Sequence, residues 1–447
     1  MSKSTPRASH LKNKNLFRKI SGVFIINVVS LASSYLLQIV LTRNIDLSSY
    51  GTFIYVIALS TVLSNFIGLG LPVTNLRYVP VYILKENWSL LKGITGFSLN
   101  LTIASSTSIS AAATAILFFI NSISEIQIFI PLLVGFWMIP VLAVINLQTE
   151  TLKALKKASL SEFSFYLLYP SLLTIGILIL SLTKSKITLY TCLLLALLSL
   201  LFVLLFQRIM ISTYAPEELN HVRPSYQSYI EWLKVSLALL VERSFSYLLK
   251  QHIDILLIGA FATVEDVALY NVAFRFASLV GITLSAANSV SAPLFSSLHE
   301  ENKKNELQQL VSQESLYIFV SSLGIGVALI IFSNFFLGIL GEEYLQARWL
   351  MMILLGGQMV NAGAGSVGYL LNMTGYQNHT ARVIGWSALF NLTANLLLVP
   401  YFGGLGAAIG TSLSMILWNV WLAFNVERLL GIRPSIIGTF WPKKTTS

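Results

Sequence analysis

The feature that most constrains this chain is the recurrence of apolar segments of roughly 20 residues or more, about twelve in all. At about 1.5 Å of rise per residue, each is long enough to cross a hydrocarbon core of about 30 Å. Backbone groups find no water there, so a spanning segment of this length satisfies them as a helix. The segments cover residues 20–42, 51–71, 93–120, 127–147, 163–182 and 187–210, then 233–262, 267–295, 316–340, 349–372, 383–400 and 405–426. Composition agrees: over 447 residues, 55% are hydrophobic and 11% charged, the mean hydropathy is +0.74, and a soluble domain carries about 25% charge. The sequence therefore predicts an all-α integral membrane protein.

The 29 Lys and Arg exceed the 19 Asp and Glu, for a net charge of +10. On these spans, about 20 of the basic residues fall on the side that holds the N-terminus, about four on the other, and about five inside helices. Both termini are thus expected in the cytoplasm. The basic residues are scattered over short connections without a stacking platform, so nucleic acid is not an expected partner. The first apolar region is too long for a secretory signal and has no small-residue cleavage site, so it reads as a retained helix. A lone Cys192 excludes an intrachain disulfide and a multi-thiolate metal site. No connection exceeds roughly 25 residues, and no GxxxxGK[ST] loop is present. Neither an enzyme nor a bound cofactor is expected.

A polar break, "STYAPEELNHVRPSYQSY" from Ser212, divides the chain near its midpoint. The expected organisation is a six-helix lobe over 1–211, a cytoplasmic linker over 212–229 and a second six-helix lobe over 230–447. "SSYLLQ" from Ser33 is echoed by "FSYLLK" from Phe245, "LSSYGTFIYVIAL" from Leu47 by "VEDVALYNVAFRF" from Val264, and "TLKALKK" from Thr151 by "LLNMTGY" from Leu370, each at a spacing of about 215 residues. An even helix count per half makes the repeats parallel, related by a pseudo-twofold axis along the membrane normal, with a cleft between them.

"LTRNIDLSSYGTFIYV" from Leu41, "IGLGLPVTNLRYVPVY" from Ile67, "DILLIGAFATVEDVALYNVAFR" from Asp254 and "VPYFGGLGAAIGTSLS" from Val399 resemble the polysaccharide transporter or O-antigen flippase family of the MOP superfamily. The resemblance covers nearly the whole chain. It implies a twelve-helix, two-lobed MATE-like fold in the bacterial cytoplasmic (inner) membrane. The implied activity is movement of a polyprenyl-pyrophosphate-linked oligosaccharide, such as an O-antigen unit, to the outer leaflet by alternating access. The implied partners are that glycan, membrane lipid, and a polysaccharide polymerase or chain-length regulator.

The segment "ERSFSYLLKQHIDILLIGAF" from Glu242 carries unusual charge for a span. Arg243, Tyr247, Lys250 and Asp254 are spaced to lie on one helical stripe, whereas Glu242 and His252 point elsewhere. Charge at the bilayer centre costs about 2.5 to 3.5 kcal/mol, so the stripe should face protein or water. With Arg275 in the eighth span, and Arg43 and Arg77 in the first lobe, these cations suit a pyrophosphate. A bland alternative stands beside each: Lys250 and Asp254 at i and i+4 could form a buried ion pair, Arg43 an interfacial anchor and Arg77 part of the positive-inside bias. Asp254, Glu242 and His252 are the candidates for ion pairing or for proton or sodium coupling, and membrane potential alone is a third drive. Tyr247, Asn271, Asn288, Asn361, Asn391 and Asn395, with the hydroxyls of "SLNLTIASSTSISAAATA" from Ser98, could meet the glycan or serve helix packing. Gly68, Gly70 and Pro72, Pro140, Pro170 and "GGQMVNAGAG" from Gly356 mark candidate bends. Export of organic cations, the alternative within the superfamily, needs buried carboxylates, and the first six spans hold almost none away from their ends. A membrane polysaccharide polymerase is a lesser alternative, since it would need a long outer loop.

Overall fold

The computed structural model describes residues 26, 28–123, 125, 127–183, 186–248 and 251–436, over 241–248 as backbone only. Among them there is helix and no strand. The chain forms two compact units, Met1–Ser244 and Phe245–Ser447.

In the first unit α1 (28–44) leads to α2 (Leu47–Ile67), α3 (Leu71–Leu84), α4 (Trp88–Ile123) and α5 (Phe129–Ala154). Then α6 (Ala158–Glu162) runs through a π turn, Phe163–Leu168, into α7 (Tyr169–Leu182), followed by α8 (Leu189–Tyr214) and by α9 (Tyr229–Leu248), whose last residues pass the unit boundary. Asp46 caps α2 by accepting from Ser49 N at 3.0 Å, and hydrogen bonding from Ser49 holds its carboxyl below the usual carboxylate range. Pro170 at the head of α7 lacks an N–H, and the π turn lies directly before it. Pro140, by contrast, sits inside an unbroken α5.

The second unit holds α10 (Gln251–Phe261), α11 (Val264–Ser278), α12 (Gly281–Glu300), α13 (Lys304–Ile331), α14 (Ser333–Leu340), α15 (Arg348–Ala364), α16 (Val367–Met373) and α17 (Gln377–Leu430). Among the described residues seven helices are long and apolar enough to cross a membrane, or nine if each bent pair is one span. The expected twelve spans map onto this set through breaks that hydropathy cannot resolve. The eighth is α11 and α12 bent by 46°, the tenth is α15 and α16 parted at Gly365 with φ of 71°, and the last two are one assigned helix with Gly403 at φ 55° inside it.

The packing faces follow from residue size and polarity. In α4, Ser98, Thr102, Ser106 and Ser110 recur every four residues and are fully buried, while Ile116, Phe118 and Phe119 are exposed on the lipid-facing surface. Ser106 returns its hydroxyl to Thr102 O at 2.6 Å. This hydroxyl stripe, one candidate for glycan contact, therefore packs helices.

One turn recurs in both units. Asn87 N bonds Tyr82 O, Lys157 N bonds Leu152 O, Lys303 N bonds Leu298 O and Tyr376 N bonds Leu371 O, each a six-to-one closure after a helix. The left-handed residues inside these turns are Glu86, Lys156, Asn302 and Gly375. The pairs are separated by 303 − 87 = 216 and 376 − 157 = 219 residues, the spacing of the sequence echoes. The repeat is thus visible in backbone hydrogen bonds where side-chain identity has faded.

Candidate functional site

The most polar buried constellation lies within the second unit. Asp254, in the first turn of α10, is 2% exposed. Tyr270 Oη of α11 donates to its Oδ2 at 2.7 Å, and Thr411 Oγ1 of α17 donates to the same oxygen at 3.0 Å. Asn395 Nδ2 donates to Oδ1 at 2.7 Å and to Asn391 Oδ1 at 3.1 Å. These neutral donors offset the desolvation of a buried carboxylate.

Local sequence explains how α17 supplies both Asn395 and Thr411. Gly403 takes a left-handed φ, and a Cβ there would meet Asp266 Oδ2 at 2.7 Å. Asp266, in the first turn of α11, accepts from Gly404 N at 3.2 Å and so holds the kink. Past the kink, Gly410 leaves room for Asn395, whose Oδ1 would lie 2.8 Å from an added Cβ. "GGLGAAIG" therefore packs two helix segments closely enough for both to reach one carboxylate.

Hydrogen counting shows what this arrangement can do. Tyr270 Oη and Thr411 Oγ1 are 3.1 Å apart, so with Asp254 Oδ2 they form a three-membered ring of oxygens. Two hydroxyl protons fill two edges when the carboxylate is ionised, and a carboxyl proton completes the third. Asn395 Oδ1 is buried with no hydrogen-bond partner. The ring can hold an added proton, and its all-oxygen donor set also suits a small hard cation. No group of three or more His, Cys, Asp or Glu able to hold a metal occurs among the described residues.

Of the residues singled out from sequence, Asp254, Asn391 and Asn395 belong to this network, the two asparagines as its supports. Arg43 is exposed at the end of α1; Arg77 is exposed on α3, 5.6 Å from the Tyr78 ring centre. Arg275 is partly exposed in the last turn of α11. Asn271 is buried and accepts from Gln251 Nε2 at 2.9 Å. Asn288 is buried in α12 with its Oδ1 unpartnered, and Asn361 donates to Gln358 Oε1 at 3.4 Å. His252 is partly buried on α10. Lys250 and the side chains of Glu242, Arg243 and Tyr247 lie outside the described residues.

Sequence reasoning missed Tyr270, Thr411 and a second buried carboxylate, Glu314 of α13, which accepts from Ser366 Oγ at 2.8 Å. The expected ninth span begins at 316, whereas α13 begins at Lys304; a polar helix start reads as loop until its neighbours bury it. The available signal for the Asp254 site was the i, i+4 pair Asn391 and Asn395 beside a glycine-rich kink.

Fold and site together define a polytopic, all-helical membrane protein. The structure is similar to a multidrug resistance MATE family transporter in an inward-facing conformation, with a TM-score of 0.68 and 14% identity over 91% of this chain and 98% of that one. It is also similar in fold to the lipid II flippase MurJ in an inward closed conformation, with a TM-score of 0.67 and 15% identity over 90% of this chain and 87% of that one. Residues 16–299 match the model of the polysaccharide biosynthesis protein family, and the chain belongs to that family. It is 29% identical over 184 residues, 40% of this chain and 38% of the other, to the probable low-salt glycan biosynthesis flippase Agl15 of Haloferax volcanii. Over 171 residues, 38% and 36%, it is 25% identical to the probable flippase AglR of the same organism. The chain thus spans under two fifths of the length of these relatives.

Proposed function

We propose that this protein is a flippase for a lipid-linked oligosaccharide, carrying a polyprenyl-pyrophosphate glycan from the cytoplasmic to the outer leaflet of the cytoplasmic membrane by alternating access. Membership of the polysaccharide biosynthesis family carries this reading, and the relatives named as probable glycan flippases support it. Charge sign argues against export of organic cations: in the first unit Glu150 and Glu162 stand near helix ends and both pair with Lys153, at 3.5 and 3.1 Å. Arg43, Arg77, Arg275, Arg243 and Lys250 are the cations proposed to meet pyrophosphate oxygens.

Asp254 is the proposed coupling residue, taking up a proton or sodium ion during the cycle. Voltage adds to the drive, since each negative charge moved outward gains about 2.3 kcal/mol per 100 mV. The test is the sidedness of the lipid-linked glycan pool in cells depleted of the protein, read with a membrane-impermeant glycosidase and mass spectrometry of extracted lipid. Accumulation of one polyprenyl-pyrophosphate oligosaccharide on the cytoplasmic leaflet, restored by the wild type but not by Asp254→Asn, is the expected result. An unchanged pool refutes the flippase reading, and full rescue by Asp254→Asn refutes the coupling role.

A further inference from the structure

A cavity of about 390 Å³ lies wholly within the first unit, among α3, α4, α5, α8 and the segment after α8. Its floor is buried, with Asn75, Gln148 and Thr151 at 1%, 5% and 6% exposure. Its rim is exposed, at Arg208, Ser212, Glu217 and Asn220. One wall is the polar segment after α8, laid onto α4 by specific contacts. Lys92 Nζ donates to the carbonyls of Leu219 and Val222 at 2.7 and 2.9 Å, Ser225 N donates to Ser89 O at 2.9 Å, and Gly93 is required because a Cβ there would collide with Ser225 O.

The lining has more hydrogen-bond donors than the protein uses. Arg208 brings five N–H groups, and none has a partner among the described residues. Lys92 has a third N–H beyond the two it gives to carbonyls. Asn75 gives one Nδ2 hydrogen to Thr151 Oγ1 at 3.0 Å while its Oδ1 accepts from Ser98, which leaves one hydrogen over. The spare acceptors are Gln148 Oε1, buried without a partner, and at the rim the Glu217 carboxylate and the Asn220 and Ser212 side-chain oxygens. Two cations and spare N–H groups call for an anion rich in oxygen; an unused amide oxygen and a rim carboxylate call for hydroxyls. A bare inorganic anion would meet the Glu217 carboxylate unfavourably, whereas an ester with free hydroxyls presents each group to its complement.

We propose that this cavity binds a polyol phosphate, with Arg208 and Lys92 on the phosphate and Gln148 and Glu217 on the hydroxyls. The site is separate from the Asp254 network and does not depend on the transport reading. The same chemistry is carried by a phosphatidylglycerol headgroup and by free glycerol phosphate, and the two sources separate experimentally. Full-length protein in neutral detergent is titrated with short-chain phosphatidylglycerol, phosphatidylcholine of equal chain length, glycerol 3-phosphate or inorganic phosphate, and followed by thermal melting and native mass spectrometry. Protection by phosphatidylglycerol or glycerol phosphate, and not by phosphatidylcholine, is expected; action of the lipid alone assigns a headgroup anchored by its chains, and action of both assigns the polyol phosphate itself. Arg208→Ala should weaken binding about tenfold or more, and Asn220→Trp, at an exposed wall position, should block it. No protection of the wild type, or protection unchanged in both variants, overturns the site, and equal protection by inorganic phosphate overturns the polyol assignment.

Discussion

Asp254 shows how a single side chain becomes significant through its neighbours. An aspartate in an apolar run is unfavourable in isolation, and three donors from two other helices make it tolerable. Asn395 is the sole described donor to Oδ1. Asn395→Leu should therefore lower stability by about 1 to 3 kcal/mol, seen as a reduced melting temperature of the purified protein. In the Asp254→Asn background the same change should cost less, because no charge is left short of a donor. A melting-temperature loss equal in both backgrounds would mean that Asn395 matters through packing alone. The candidate at 254 was legible in the sequence as a carboxylate inside a span. Its partners were not, because Tyr270 and Thr411 lie 16 and 157 residues away along the chain.

At the level of elements, the breaks matter as much as the helices. Gly403 and Gly70 both take left-handed φ, at 55° and 73°, where a side chain costs about 1 to 2 kcal/mol by backbone sterics alone. Space is short at each: an added Cβ would collide with the Ser236 carbonyl oxygen at Gly70 and would press on Asp266 at Gly403. Gly403→Ala should destabilise the protein by more than the steric term, whereas alanine at Gly385, which has nothing within 4 Å, should be neutral or stabilising. Comparing expression and thermal melting of the two checks this, and equal behaviour would remove the kink from the account. "GLGLP" and "GGLG" announced breaks in the sequence. Which glycine breaks a helix and which lets helices touch was decided by the neighbours.

For the whole molecule, the distribution of Lys and Arg predicts both termini and the connection at Asn302 on the cytoplasmic side, with the connection at Glu343 outside. Both positions are exposed, and the single native Cys192 is buried. Asn302→Cys should be labelled by an impermeant maleimide only from the cytoplasmic side and Glu343→Cys only from outside, in whole cells against inverted vesicles. Labelling of both from one side would require a different number of crossings between them.

The sequence by itself determined the solvent this chain folds in, its helical class, the approximate positions of its longer apolar helices, and its internal repeat. Those properties depend on local hydropathy, chain length and charge, each of which is written along the chain. Only the tertiary structure decided that Asn395, Thr411 and Tyr270 converge on Asp254, that Glu314 is buried, and that the segment after α8 lies against α4 to wall a cavity. Those properties depend on where breaks turn the chain and on which faces then meet, and hydropathy is nearly uniform around a span that is apolar to both lipid and protein.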